Sequence, residues 1–318
     1  MARSSSARFV SYDLRPAKQT ERRILVDILK FGGDCGLPID RYRYVGMGAN
    51  RFYDFLLLHK YLGISTMTSL EHDPEMFKRA VFNVPYGFIE VQEKSAAAFV
   101  GEDSGEAPSI YWLDYDGGIG PNVTGDISSF SAKLKVGDFC FVTVFGGPPR
   151  VLDQQNDNGR LIWLQDNLGD LAGDLLIEDV ERSNFPNAVH KLLIAAFRNA
   201  FAPRRDGIFV PLLQVEYSDS TPMVTVGGAF LTLGQAIQYR SNLKRTLPFL
   251  NTTDAVMYQI RSLHLTERER ALFDRAVTST SRKRVEKNTL NKLGFRSAEI
   301  AAYKDLVRYL PRYVETIV

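Results

Sequence analysis

The chain has 318 residues, of which 45% are apolar and 24% charged, proportions ordinary for a soluble globular protein. That length suits one large domain with additions, or two domains, and can bury a substantial core. The net charge of +2 names no partner in bulk, and the two cysteines, Cys35 and Cys140, make neither a disulfide framework nor a zinc site.

The N-terminal MARSSSARFV has no apolar core that would serve as a signal peptide, and no run is long enough to cross a bilayer. The expected setting is therefore the cytoplasm, with reduced thiols. Residues Met1–Arg8 read as a loose tail. Pro16 is placed to start a helix through Lys18–Phe31, with Ile24, Leu25, Ile28 and Leu29 on one face and Gly32-Gly33 ending it. Its polar face, Arg15, Lys18, Arg22 and Arg23, reads first as the solvated side of a capping helix; contact with an anionic substrate is the alternative.

The densest pattern runs from Arg41 to Asp73, RYRYVGMGANRFYDFLLLHKYLGISTMTSLEHD. A strand at Tyr42–Val45 meets Gly46 and Gly48, a helix is expected from Asn50 to about Tyr61, and Gly63 is placed to end it. A second strand, Met67–Leu70, delivers Glu71. Strand, glycine turn, helix, strand and acid is a nucleoside-binding order. The glycines let backbone turn sharply and approach a ligand, free helix N–H groups suit an anion, and the acid accepts ribose hydroxyls. The third glycine of G-x-G-x-x-G is absent, with Arg51 in its place. Asn50 would cap the helix, and Asp73 competes with Glu71 for the ribose.

Further on, Pro74–Phe82 reads as a helix with Phe77, Ala80 and Val81 inward. Phe88–Val91 is a third strand, followed by a helical turn at Ser95–Val100. The fourth strand, Ile110–Leu113, stops at Asp114-Tyr115-Asp116-Gly117-Gly118. A helix over Asp126–Leu134 and a buried strand over Asp138–Val144 follow, ended by Gly146-Gly147-Pro148-Pro149. A helical region over Gly159–Ala202, interrupted near Asn184–Pro186, leads to β patterns at Phe209–Tyr217 and Met223–Leu233. Their short polar connection suits an antiparallel hairpin, and Gly227-Gly228 suggests a bulge or a close backbone approach. From Thr253 onward the pattern is helical, with a basic break at Thr278–Asn288.

The expected architecture is α/β: a doubly wound, mostly parallel sheet closed by an antiparallel hairpin, with helical N- and C-terminal additions. Residues 1–36 would form the tail and capping helix, 37–250 the sheet domain and 251–318 a helical extension. Over roughly Tyr42 to Leu233 the sequence resembles the Rossmann-like, class I S-adenosylmethionine-dependent methyltransferases, whose sheet closes with such a hairpin. Val45-Gly46-Met47-Gly48-Ala49-Asn50 is similar to that family's glycine-rich motif without the usual leading acid. The resemblance implies S-adenosyl-L-methionine as cofactor, held by Gly46, Gly48, Asn50, Glu71 or Asp73, and Glu93 or Ser95. It places Asp114, Tyr115 and Asp116 toward a methyl acceptor on oxygen or nitrogen. No metal ligand set is expected.

Two other readings stay open. A degenerate glycine motif suits a nucleotide-sensing or interaction module without turnover. Leu113-Asp114-Tyr115-Asp116-Gly117 also resembles the D-x-D-G opening of magnesium-dependent haloacid-dehalogenase-like phosphatases, although three strands precede it here. From Arg261 onward, thirteen Lys and Arg face seven Asp and Glu. That basic region, including Ser281–Lys287, suits nucleic acid or a solvated helical surface. The helix pair around Leu290–Leu310, with Gly294 between and Ser297 as N-cap, suits a helix-turn-helix, a dimer contact or a cap. His59 reads as structural and His72 as a surface or hinge histidine, and His190 and His264 have no acid or nucleophile nearby in sequence that marks a triad.

Overall fold

In the computed structural model, residues 15–312 are described, apart from 49, 104, 153, 254–255 and 280–282 and the side chains of 283–284. The tail expected at Met1–Arg8, Ala49 of the glycine motif, and Ser281 of the basic segment lie outside them. Eight apolar stretches become the strands of one sheet: β1 (Arg43–Gly46), β2 (Thr66–Leu70), β3 (Ile89–Gln92), β4 (Ser109–Gly118), β5 (Phe139–Phe145), β6 (Ile208–Ser218), β7 (Pro222–Leu231) and β8 (Tyr258–Ile260). Their order is β3-β2-β1-β4-β5-β7-β6-β8. Strands β1 to β5 pair in parallel, β7 is antiparallel to both β5 and β6, and β8 is parallel to β6.

The helices are α1 (Pro16–Asp34), α2 (Tyr53–Leu62), α3 (Pro74–Asn83), α4 (Ala96–Glu102), α5 (Pro121–Lys133), α6 (Asp157–Leu168), α7 (Phe185–Phe201), α8 (Leu233–Thr246), α9 (Glu267–Thr278), α10 (Lys283–Lys292) and α11 (Ser297–Leu306). Period-two alternation sorts the strand side chains between two cores. Tyr44, Ile110, Trp112, Phe139 and Phe141 join a cluster with Ile24, Leu25 and Ile28 of α1 and with residues of α2 and α8. Val45, Tyr111, Leu113, Cys140 and Val142 join the opposite cluster, with α4, α5, α6 and α7. A third, small core around Phe273, Leu290 and Tyr303 holds α9, α10 and α11 together. Among the described residues no helix is long and apolar enough to cross a membrane.

Several expectations shift. Helix α1 runs past Gly33 to Asp34, and Gly36 (φ +76°) follows the turn. Helix α2 begins at Tyr53, three residues later than expected, because Phe52 enters it at φ +50° as the N-cap residue, so Asn50 does not cap it. Gly63 does end it in the left-handed conformation, at φ +75°. On α3 the inward residues are Met76 and Ala80, and Val81 is 47% exposed. The fourth strand does not stop at Asp114: it runs to Gly118, with an irregular pairing between Asp114 and Gly118. Gly227 and Gly228 mark a close approach. A Cβ on Gly228 would lie 1.9 Å from the Val210 carbonyl oxygen, and the register break falls on the facing strand between Pro211 and Leu213. The region after residue 253 is not all helix, since β8 joins the sheet there. The basic break is shorter than expected, because residues 283–292 are helical. Ser297 is the first residue of α11, and Arg296 is its N-cap.

Candidate functional site

The chain moves outward from β1 to β3 and returns to β4, so the sheet order reverses between β1 and β4. A crevice at the carboxyl ends of strands is expected at such a point. Register locates what flanks it. Gly46 lies level with Ser69 on β2 and with Trp112 on β4. Glu71 and Asp114, each two residues further along, therefore stand on either side of the glycine turn, two strand spacings or roughly 10 Å apart.

The turn is held from within the protein. Gly48 N–H donates to Ser69 Oγ at 3.0 Å. A Cβ on Gly46 would sit 2.4 Å from the Tyr44 hydroxyl, and one on Gly48 would meet Phe52, Phe55 and Ser69 within 2.9 Å. Both glycines are thus required by the packing beneath the turn, whatever the exposed side of its backbone contacts. The side-chain nitrogen and oxygen of Asn50 are buried with no hydrogen-bond partner among the described residues, and so is Oε1 of Gln92 at the end of β3. Buried polar atoms without partners are uncommon and mark places where a ligand supplies the missing bond. Gln92 escaped the sequence reading, which looked one residue beyond it.

The acids differ in what they are free to do. Glu71 has its side chain 14% exposed, and one oxygen accepts from Asp73 N–H at 3.0 Å. Burial raises its pKa above the usual carboxylate value, against the opposing effect of that backbone N–H and His72. Asp73 instead caps α3, its carboxylate accepting from the N–H groups of Glu75 and Met76. Ser95 caps α4 in the same way through Ala98 N–H, while Glu93 is exposed beside it. Within the run after Leu113, alternation divides the residues. Asp114 turns toward α1. The Tyr115 hydroxyl donates to Asp126 of α5, within the half of the structure that holds the opposite core, and burial followed by that carboxylate holds its pKa far above the ordinary value. Asp116 is exposed.

The polar face of α1 is where the sequence reading fails most instructively. Lys18 and Arg22 are not solvated: they are 1% and 5% exposed, and Glu21 between them is fully buried. The Lys18 ammonium lies 2.8 Å from Asp114 Oδ2, donates to the Tyr217 hydroxyl at 2.8 Å and stands 3.3 Å from Glu21 Oε2. It also sits 5.2 Å from the ring centroids of both Trp112 and Tyr217. Burial works against its charge, but Asp114 and Glu21 outweigh that and hold its pKa well above the ordinary lysine value. Arg22 pairs with Asp54 of α2. Behind them Trp112 Nε1 donates to Thr143, whose hydroxyl donates to Thr225, and Thr225 donates to Glu21. Asp219 anchors the start of α1, accepting from the N–H groups of Ala17 and Lys18. In the sequence, the only trace of this is that the cations begin well before the apolar stripe starts at Ile24.

Of the histidines, exposed His72 stands 3.8 Å from Glu71, while His59 and His190 are engaged elsewhere. His59 bonds the Ile64 carbonyl and packs on Tyr86 and Phe88, and buried His190 bonds Gln214. Among the described residues no group of three or more His, Cys, Asp or Glu is placed to hold a metal ion.

The strand order, its reversal between β1 and β4, and the antiparallel β7 define the Rossmann-like, class I methyltransferase scaffold. Residues 10–318 match the family described as "Putative O-methyltransferase", and the chain belongs to that family. The activity of that family is methyl transfer. No curated protein matches it. Among solved structures, an rRNA methylase from Streptococcus thermophilus is 12% identical, covering 65% of this chain and 95% of its own, with a TM-score of 0.38. An arsenic(III) S-adenosylmethionine methyltransferase from Chlamydomonas reinhardtii is also 12% identical, over 62% and 65%, with a TM-score of 0.38. At this level of similarity nothing of their chemistry transfers to this chain.

Proposed function

We infer that the protein transfers the methyl group of S-adenosyl-L-methionine to a hydroxyl oxygen of its acceptor. The observation that carries this reading is the pairing of an ionisable Glu71 with unpartnered buried atoms on Asn50 and Gln92 around one glycine turn. These residues fit a nucleoside: Glu71 would accept from the ribose hydroxyls, and the Asn50 and Gln92 amides would complete bonds they now lack. The cofactor supplies an electrophilic methyl group on a positively charged sulfur. Asp114, Glu71, Glu93 and Asp116 surround the strand ends with negative charge, which favours a cationic guest. Asp114 is the carboxylate placed to accept a proton from an acceptor hydroxyl, and Lys18 fixes its orientation. Transfer is an in-line displacement, so alignment and exclusion of water contribute more than base strength. The phosphatase reading of Asp114 and Asp116 is set aside: Asp114 is engaged by Lys18, on the fourth strand of a methyltransferase sheet.

Calorimetric titration tests this. The wild-type protein should bind both S-adenosylmethionine and S-adenosylhomocysteine. Glu71→Ala should weaken both by about tenfold to a hundredfold, the worth of one charge-assisted pair of hydrogen bonds, with folding unaffected. Failure of the wild type to bind either compound would refute the reading.

A further inference from the structure

A line of contacts runs from Asp114 through Lys18 and Glu21 to Thr225. Three ionisable groups, Asp114, Lys18 and Glu21, lie in contact, and only the Asp114 end is reachable, with 19% of its side chain exposed. Glu21 accepts from Thr225 through one oxygen, while Oε2 accepts no hydrogen bond among the described residues and faces the Lys18 ammonium at 3.3 Å. That free lone pair, in a side chain with no exposure, is a position for a proton. The charges facing Glu21 are Lys18 and Arg22 on its own helix and Asp114 on β4, with Thr225 of β7 and Tyr217 of β6 as neutral partners. Arg22 is itself engaged by Asp54 of α2. Fully ionised, the set Lys18, Arg22, Glu21, Asp54 and Asp114 carries one excess negative charge; one proton makes it neutral.

Resting on the methyltransferase reading, we propose that Glu21 is the proton store of the site, coupled to Asp114 across Lys18, and that it exchanges its proton for the positive charge of the cofactor. Entry of the sulfonium adds a positive charge near Asp114, and the Glu21 proton leaves to solvent by way of Lys18 and the exposed edge of Asp114. On transfer the carbon–sulfur bond breaks with its electron pair going to sulfur, the oxygen–carbon bond forms, and the acceptor O–H bond breaks. The proton passes to Asp114. Lys18 takes it while giving one of its own N–H protons to Glu21 Oε2, so the ammonium is unchanged and the net charge of the site is constant throughout. Burial, ahead of the like charge of Asp114, raises the Glu21 pKa despite the nearby ammonium, which is the direction a proton store needs. Lys18 acts as a positioning residue, and no part of α1 has to touch the acceptor.

The two cofactor forms differ by one charge, so the proposal is tested without knowing the acceptor. Proton release on binding is read from calorimetry of the full-length protein in buffers of different ionisation enthalpy. Near the midpoint of Glu21 titration, S-adenosylmethionine should release about half a proton more than S-adenosylhomocysteine. Glu21→Gln, which keeps the shape and the Thr225 contact, should abolish the difference. Equal release by the two ligands in the wild type, or a difference that survives in Glu21→Gln, overturns the proposal. Should that variant not fold, carboxyl-13C-glutamate NMR of the wild type decides. A Glu21 titration that moves to lower pH with S-adenosylmethionine relative to S-adenosylhomocysteine supports the store, and an unmoved one overturns it. Absence of binding by either ligand removes the methyltransferase reading first, and the proton store with it.

Discussion

Replacing Lys18 by methionine isolates the buried charge at the centre of the site. Methionine fills the space of the lysine stem, so little cavity is created, and what is lost is the ammonium with its bonds to Asp114 and Tyr217. Removing one partner of a buried ion pair costs about 3–5 kcal/mol, because the other charge is left uncompensated. Lys18 is 1% exposed and needs no discount for solvent screening. The penalty has a pH signature. The folded-state pKa of Lys18 is raised, so its contribution is complete below the unfolded lysine value and constant across pH 5–8. Glu21 has a raised folded-state pKa, so the folded protein binds more protons there than the unfolded chain, and stability from this group declines as pH rises. Without Lys18 that tendency grows. The destabilisation should be smallest in mild acid and approach the full value at neutral pH, where roughly 3 kcal/mol shifts the folding constant by more than a hundredfold. Urea unfolding at several pH values measures it. A variant within about 0.5 kcal/mol of wild type at every pH, the size expected of an ordinary surface substitution, would refute this account of the site.

Asp73→Ala should lower stability by about 1 kcal/mol through loss of the α3 cap while leaving cofactor affinity near wild type, the reverse of Glu71→Ala; thermal melts and calorimetry separate the two. Gly228→Ala places a Cβ against the Val210 carbonyl, which backbone alone cannot yield, and should cost at least about 3 kcal/mol, seen as a large drop in Tm. Gly48→Ala meets only side-chain atoms and should cost about 1–3 kcal/mol by the same measurement. Asp103 is bonded bidentately by Arg43 and accepts from Tyr111. Although burial opposes it, these partners hold its pKa below the usual value. Its stabilisation is present above the unfolded Asp pKa and lost as pH falls through the folded one, so Arg43→Met should flatten acid unfolding below about pH 4.

The sheet was legible because strand patterns depend on local alternation and on glycines at their ends: Gly46, Gly63 and Gly146 fall where the periodicity changes. The hairpin was legible from the short polar link at Ser218–Pro222. What could not be read locally was the partner of each polar side chain. Lys18 reads as solvated because its principal partner, Asp114, is 96 positions away in sequence. Glu71 and Asp73 are indistinguishable as spaced acids, and only the start of α3 shows that Asp73 is engaged. Tyr115 and Asp114 look like one cluster, but the pleat sends them to opposite faces. The late start of α2 follows from Phe52 in a left-handed conformation, which the residue type disfavours and tertiary packing imposes.

The two ends of the described chain meet, since α1 opens it and the C-terminal segment is fastened to α1. Arg23 donates to the Tyr309 carbonyl, the Tyr309 hydroxyl donates to Asp27, and Arg308 reaches Asp27 as well, while on the same helix Lys18 and Arg22 reach Asp114 and Asp54. A fragment trimmed to the sheet alone, from residue 37 to residue 250, would lose the cations that neutralise Asp54 and Asp114 together with the contacts that seat them. Shortening at the C-terminus would loosen the same helix from its other side. Expression of the isolated core therefore promises little: α1 supplies the cations that face Asp54 and Asp114, the C-terminal segment holds α1, and biochemistry on this protein needs both in place.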